Sequence, residues 1–300
     1  VRHLAFAKKE VFVFSPLIFW PGLAGAIVLA IGCFTARKEL ASAPGLEKLI
    51  ALARVFFAAP LALFGAEHFA AAQGISQVVP RWMPGHLFWT YLVGLCLMAA
   101  ALSLVLGKSV RLTATLLAIM FLLFVALIHL PNVVARPENR FVWAVAVRDL
   151  TFAVGACALA ESLRTRGSGL PTALRLYVAV ALIFFAVEHF LHPEGALGVP
   201  LEKVTPDWFP LRLFLGYFSG AVLFAGGTVM LFPKYARTAA AWMGMLFTLL
   251  TVFVYGPILI SCATIAEMNV GENYVADTLL YGGAVLLLAA ALPAETQKGT

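Results

Sequence analysis

"PRWMPGHLFWTYLVG" (80–94) and "PDWFPLRLFLGYFSG" (206–220) decide how this chain is read. Seven of the fifteen aligned positions are identical: both prolines, the Trp, the Leu-Phe pair, the Tyr and the Gly. Chance gives about one at ordinary residue frequencies. The register continues at the same offset of 126, pairing Lys108 with Lys234, Arg111 with Arg237 and Pro131 with Pro257. Upstream, "GAEHF" (65–69) and "AVEHF" (186–190) repeat at an offset of 121, and an insertion around "HPEGALGVPLEK" accounts for the drift. Downstream, Asp149 and Asp277 each precede a glycine (Gly155, Gly283) by six positions. Self-similarity of this kind means a duplicated unit.

Composition says what the unit is made of. The 300 residues are 62% hydrophobic and only 12% charged, against roughly 25% charged in soluble domains. A soluble fold has no interior large enough for that surface, so the chain is a polytopic membrane protein. The net charge of +6 comes from basic residues scattered between apolar runs, as in membrane loops, and not from a stripe suited to nucleic acid. Cys33, Cys96, Cys157 and Cys262 are isolated within apolar runs, which excludes a C-x-x-C redox pair and a thiolate zinc site.

A span needs about 20 apolar residues. Nine segments qualify: 11–34, 49–70, 87–107, 111–130, 141–163, 174–191, 213–232, 236–260 and 275–293. The first follows a basic start, as a signal peptide does. It is long, though, and carries Pro16 and Pro21, so it reads as an extra anchor, crossing or re-entrant. The expected fold is all-α: two parallel four-helix transmembrane repeats, related by an axis along the membrane normal, plus this N-terminal hydrophobic segment. The divisions are 1–48 for the anchor, 49–163 for the first repeat and 174–293 for the second, with a basic linker at 161–172.

Let X be the face of the Pro-x-Trp-x-Pro loops and Y the face of "KSVR" and "KYAR". Face Y collects twelve basic residues, among them Arg175, Lys108, Arg111, Lys234 and Arg237, and face X five. The positive-inside rule makes Y cytoplasmic. Arg2, Lys8 and Lys9 conflict with this if residues 11–34 cross.

The run "FGAEHF…VVPRWMP…YLVG…LVLGKSVRLTATLLA…HLPNVV" resembles the DoxX-like family of small bacterial membrane proteins. The likeness covers about 55–163, and 174–293 more loosely. That family is four-helix, so this chain looks like its tandem duplication with an added segment. Family members commonly carry a Glu two residues after the second-helix glycine, where this chain has Cys96 and Val222. The resemblance implies a bacterial cytoplasmic (inner) membrane location, multi-pass, and protein partners in a quinone-linked redox complex. Quinone is therefore the cofactor it brings forward; no haem or iron–sulfur motif is evident.

Ionisable residues inside a membrane are expensive and face a bundle interior or a wet cavity. The candidates for proton transfer or ligand binding are Glu67, His68, His129 and Asp149 in the first repeat, and Glu188, His189, Tyr255 and Asp277 in the second. All fall in the X half. The EHF residues equally suit an interfacial hydrogen bond or a loop clamp. Adjacent helix residues point about 100° apart, so the partner of Arg148 is expected on another helix, with Glu67 the candidate. Pro80, Trp82 and Pro84, and Pro206, Trp208 and Pro210, read as structural loops that fix interfacial aromatics, with a ligand lid as the other reading. No metal site is assigned, because adjacent Glu and His on a regular helix cannot easily share one ion and no H-E-x-x-H occurs.

Three functions fit these residues. The first is an integral subunit of a membrane redox complex that docks or stabilises an oxidoreductase and accepts protons from quinol. The second is a proton-coupled small-solute transporter or binding protein. The third is a purely structural accessory subunit.

Overall fold

A computed structural model describes residues 15–164, 169–199, 205–206 and 208–293. Arg2, Lys8 and Lys9, the linker residue Arg166, the loop charges Glu202, Lys203 and Asp207, and Lys298 lie outside them. Among the described residues the structure is all-helical. Its main elements are α1 (Pro16–Ser42), α2 (Ala53–Ala70), α3 (His86–Leu106), α4 (Val110–Ala135), α5 (Arg140–Ser162), α6 (Leu170–Leu191), α7 (Arg212–Met230), α8 (Ala236–Ser261) and α9 (Ile265–Ala291). Eight of these are long and apolar enough to cross a membrane. α2 qualifies only together with Ala72–Val78, which turns 94° away from it. The chain is a multi-pass membrane protein.

The first segment is one continuous helix of 27 residues with Pro21 inside it. That is about 40 Å, enough for a full crossing. Its buried stripe is Ile18, Pro21, Gly25, Val28, Gly32 and Ala36, at the three-and-four spacing of one helix face. Small residues on that stripe let α1 approach α2 closely, as in membrane helix pairs generally. A side chain at Gly25 would meet Ala59 and Leu63. Near Y, Thr35 Oγ1 donates to Val105 O at 2.9 Å; near X, Gly22 lies against Glu272. α1 thus runs from X to Y, and the re-entrant alternative does not hold.

α9 is the centre of the bundle. It packs along α2, α5 and α8 and also touches α1 and α6. α5 packs on α4, α6 and α9. Each of these two helices therefore lies against a helix of the other half of the chain: α9 against α2, and α5 against α6. Glycine permits the closest approaches. A Cβ at Gly155 would stand 2.5 Å from Ala284 Cβ, and one at Gly283 would stand 2.6 Å from the backbone nitrogen of Phe57.

Several local features recur at the offset seen in the sequence. Met83 N donates to Pro80 O and Phe209 N to Pro206 O, both at 2.9 Å, closing the two Pro-x-Trp turns. Gly85 and Leu211, just before α3 and α7, both have left-handed φ, +70° and +54°. Val125–His129 and Thr251–Tyr255 both form a π turn within α4 and α8. Each stands just before a proline, Pro131 or Pro257, whose missing N–H frees a carbonyl in the preceding turn. Such wide turns are rare and often mark functional positions.

α9 begins at Ile265, ten residues before the expected start. Its first turns carry Glu267, Asn269, Glu272 and Asn273, which hid the helix from a hydropathy reading. A capping box starts it: Thr264 Oγ1 accepts from Glu267 N at 3.2 Å, while Glu267 Oε2 accepts from Thr264 N.

Candidate functional site

The π turn of α4 aims His129 at α5. His129 Nε2 donates to Asp149 Oδ2 at 2.7 Å. Asp149 Oδ1 accepts from Arg148 Nε at 3.1 Å. Arg148 Nη1 crosses to α9 and donates to Asp277 Oδ2 at 2.7 Å. Arg148, Asp149 and Asp277 have side chains only 12–13% exposed. A line of four groups, imidazole–carboxylate–guanidinium–carboxylate, therefore joins α4, α5 and α9 inside the bundle. Asp149 lies nine residues into α5 and Asp277 twelve into α9, about 14 and 18 Å from the X ends. Sequence reasoning expected one X-side cluster in each repeat, His129 and Asp149 with Glu67 and His68, and Asp277 with Glu188 and His189; the line instead joins His129 and Asp149 to Asp277 across the repeats. Glu67 was the expected partner of Arg148; the partner on another helix is Asp277.

The EHF motifs have different fates. Glu67 Oε1 accepts from Asn269 Nδ2 at 2.9 Å and from Asn273 Nδ2 at 3.1 Å, both on α9. Glu188 Oε2 accepts from Arg140 Nη1 at 2.9 Å, on α5. Each glutamate therefore reaches from a motif helix to a helix of the opposite half. The histidines do not join them. His68 Nδ1 and His189 Nδ1 each bond the carbonyl four residues back, Phe64 O and Phe185 O, at 2.7 Å. His189 Nε2 accepts from Gly198 N at 2.9 Å, which fixes a neutral ring with its proton on Nδ1. Both rings pack where glycine leaves room: a side chain at Gly94 would meet His68, and one at Gly220 would meet His189. His189 thereby ties the loop at Gly198 to α6, while His68 bonds within its own helix.

Tyr255 occupies the π-turn place of His129, yet its hydroxyl donates to Leu197 O at 2.5 Å and its ring lies 5.6 Å from that of Tyr274. The two rings belong to the wall of a cavity of about 340 Å³ near face X, which Pro206, Trp208, Ile258 and Cys262 also line. Trp208 is thus part of a cavity rim. Trp82 is 71% exposed, as an interfacial aromatic should be.

Toward Y the ionic line meets an aromatic plug. Tyr281, one turn beyond Asp277, is fully buried and packs against Phe152 (6.5 Å), Phe185 (5.7 Å) and Phe247 (4.7 Å). Its hydroxyl makes no hydrogen bond of good geometry among the described residues, with the Thr151 side chain beside it on α5. Below it, at face Y, two arginines satisfy backbone carbonyls. Arg175 Nη1 caps the end of α7 through Met230 O (2.5 Å) and Leu231 O (2.7 Å). Arg237 holds Ala289 O, Leu292 O and Glu47. Among the described residues no three His, Cys, Asp or Glu side chains gather closely enough to hold a metal ion.

Sequence reasoning missed Asn269, Glu272 and Asn273 because it began α9 too late. "TIAE" (264–267) was the available signal, a Ser/Thr-x-x-Glu helix start. No curated protein matches the chain and no solved structure matches it. A family model described as a domain of unknown function, DUF8561, matches residues 57–129, which hold Glu67, His68 and His129 but none of α5 or α9.

Proposed function

We propose that the chain is an integral subunit of a quinone-linked membrane redox complex, with the Arg148 line as its proton acceptor on the X side. The composition of that line carries the reading. Two carboxylates and one guanidinium leave one negative charge when His129 is neutral and none when it is protonated. Buried charge is costly unless compensated, so one proton fits this site without repacking the bundle. Quinol oxidation near the headgroup level needs an acceptor of this kind. The cavity beside Tyr255 and Tyr274 suits a single ring, and Asp277 is within electrostatic reach of Tyr255.

Two observations favour this over a transporter. The aromatic plug around Tyr281 closes the line toward Y. The glycine contacts of α5 with α9 and of α9 with α2 lock the two halves at backbone distance, whereas alternating access requires them to move. A purely structural subunit has no need of an imidazole at the end of a buried ion pair.

The recurring Pro turns, left-handed residues and π turns support a duplicated four-helix unit in parallel orientation, 49–163 and 174–293. The DoxX-like resemblance supports the bacterial inner membrane, with X outside.

The test is mild-detergent extraction of native membranes with mass spectrometry of the chains that co-migrate. The expected result is an oxidoreductase travelling with this chain, whose quinol turnover falls at least about tenfold with Asp149→Asn, in line with the worth of a positioned proton acceptor. A chain that migrates alone, or a complex indifferent to Asp149→Asn, overturns the reading.

A further inference from the structure

Near face X, α1, α2 and α9 converge on a second charged group that the Arg148 line does not use. Glu67 is held by the carboxamides of Asn269 and Asn273. Beside it, Glu272 is 7% exposed and makes no hydrogen bond among the described residues. It lies within electrostatic reach of Glu67. Its Oε1 fills the space a side chain on Gly22 would need, 2.7 Å from that Cβ position. Residues 269, 272 and 273 are three and four apart, so they share a face of α9. Among the described residues no cation contacts either carboxylate. Arg148 is occupied by Asp149 and Asp277, and Arg140 by Glu188. α1 brings no charge to this end, and Asp277 adds a further negative charge within reach of Glu67.

A buried and a half-buried carboxylate of like charge, the buried one without a partner among the described residues, are unfavourable as they stand. We propose that Glu67, Glu272, Asn269 and Asn273 form a binding site for a hard divalent cation of the calcium type, entered from face X. The donors are oxygens: two carboxylates, and the two carboxamides once turned about their last bond. That set, with waters, is what calcium takes in six to eight flexible positions. Magnesium demands a tighter octahedron and keeps its waters. The two carboxylates match a divalent charge. The bound ion would tie α1 and α2 to the first turns of α9.

The purified full chain, stripped with chelator in detergent, is titrated with calcium chloride while thermal unfolding and binding heat are followed. Calcium is expected to bind one to one and to raise the melting temperature by about 3 °C or more when saturating, with a smaller effect from magnesium. Glu272→Gln is expected to abolish the calcium shift. It is also expected to melt no lower than calcium-free wild type, since it removes a like charge. A wild-type melting temperature that responds to pH and not to calcium, or a calcium shift that survives Glu272→Gln, overturns the proposal. The assay needs neither a partner nor quinol, so it stands apart from the redox reading.

Discussion

Arg148 and Asp277 are 129 positions apart in the chain and 2.7 Å apart in the bundle. The pair is the only charged contact between α5 and α9, the two helices at the middle of the molecule, among the described residues. It is also asymmetric. The position that corresponds to Arg148 in the second half, beside Asp277, is Ala276. One guanidinium therefore serves both aspartates, and the two halves of the chain share a single buried cation.

That sharing makes Arg148 the most sensitive residue in the site. Arg148→Met leaves Asp149 and Asp277 facing each other inside the bundle. Removing one partner of a buried pair costs about 3–5 kcal/mol, so a large drop in melting temperature is expected in detergent. Adding Asp149→Asn and Asp277→Asn to Arg148→Met should recover most of it, because no unpaired charge then remains. If the triple variant melts as low as the single one, packing and not charge sets the effect.

The glycine contacts of α5 and α9 predict a second sensitivity. Gly155→Ala puts a Cβ 2.5 Å from Ala284 Cβ, closer than atoms in real cores come, and the helices must separate. Overpacking of this kind costs about 1–3 kcal/mol. Gly74→Ala, where nothing lies within 4 Å, is the control and should be neutral or slightly stabilising. Equal melting temperatures for the two variants would mean that α5 and α9 slide freely, which would reopen the transporter reading.

Much of this architecture was legible in the sequence, and the failures have physical causes. Hydropathy located all nine helices because bilayer thickness sets their length. It shortened α9, since a helix that sets Asn269 and Asn273 against Glu67 and buries Glu272 is polar where the scale demands apolar residues. Depth put His129, Asp149 and Asp277 in the X half, but the sequence grouped them by repeat and not across the halves. It could not choose the partner of Arg148, because pairing across the halves depends on which helices meet at the centre. Glu67 and Glu188 look equivalent on paper, yet one meets two amides and the other an arginine. The π turns left no sign beyond Pro131 and Pro257.

Arg175 illustrates what a charge count hides. Read as one of the basic residues that orient the chain, it is in fact 5% exposed, with its guanidinium on Met230 O and Leu231 O. Arg175→Met should leave buried carbonyls unpaired and cost about 2–3 kcal/mol. Lys108→Met removes the same charge from an exposed site on the same face and should stay within about 0.5 kcal/mol. Thermal unfolding of both variants separates the two roles. A Lys108→Met variant as unstable as Arg175→Met would show that face charge, not helix capping, is what matters.

Leu211 offers a gain and not a loss. It stands where the first half has Gly85, and both residues have φ in the left-handed region. Glycine adopts that conformation without penalty, but for leucine it costs about 1–3 kcal/mol. The leucine side chain is 73% exposed, so removing it forfeits little burial. Leu211→Gly relieves the strain and gives back about 0.4–1 kcal/mol through the freer unfolded chain. The net expectation is a stabilisation of about 0.5–1 kcal/mol, seen as a higher melting temperature. Gly85→Leu should move it the other way by a similar amount, since it adds the strain that Leu211→Gly removes. A fall with Leu211→Gly would mean that the exposed leucine is held by the bilayer or a partner on face X, and the strain argument would fail.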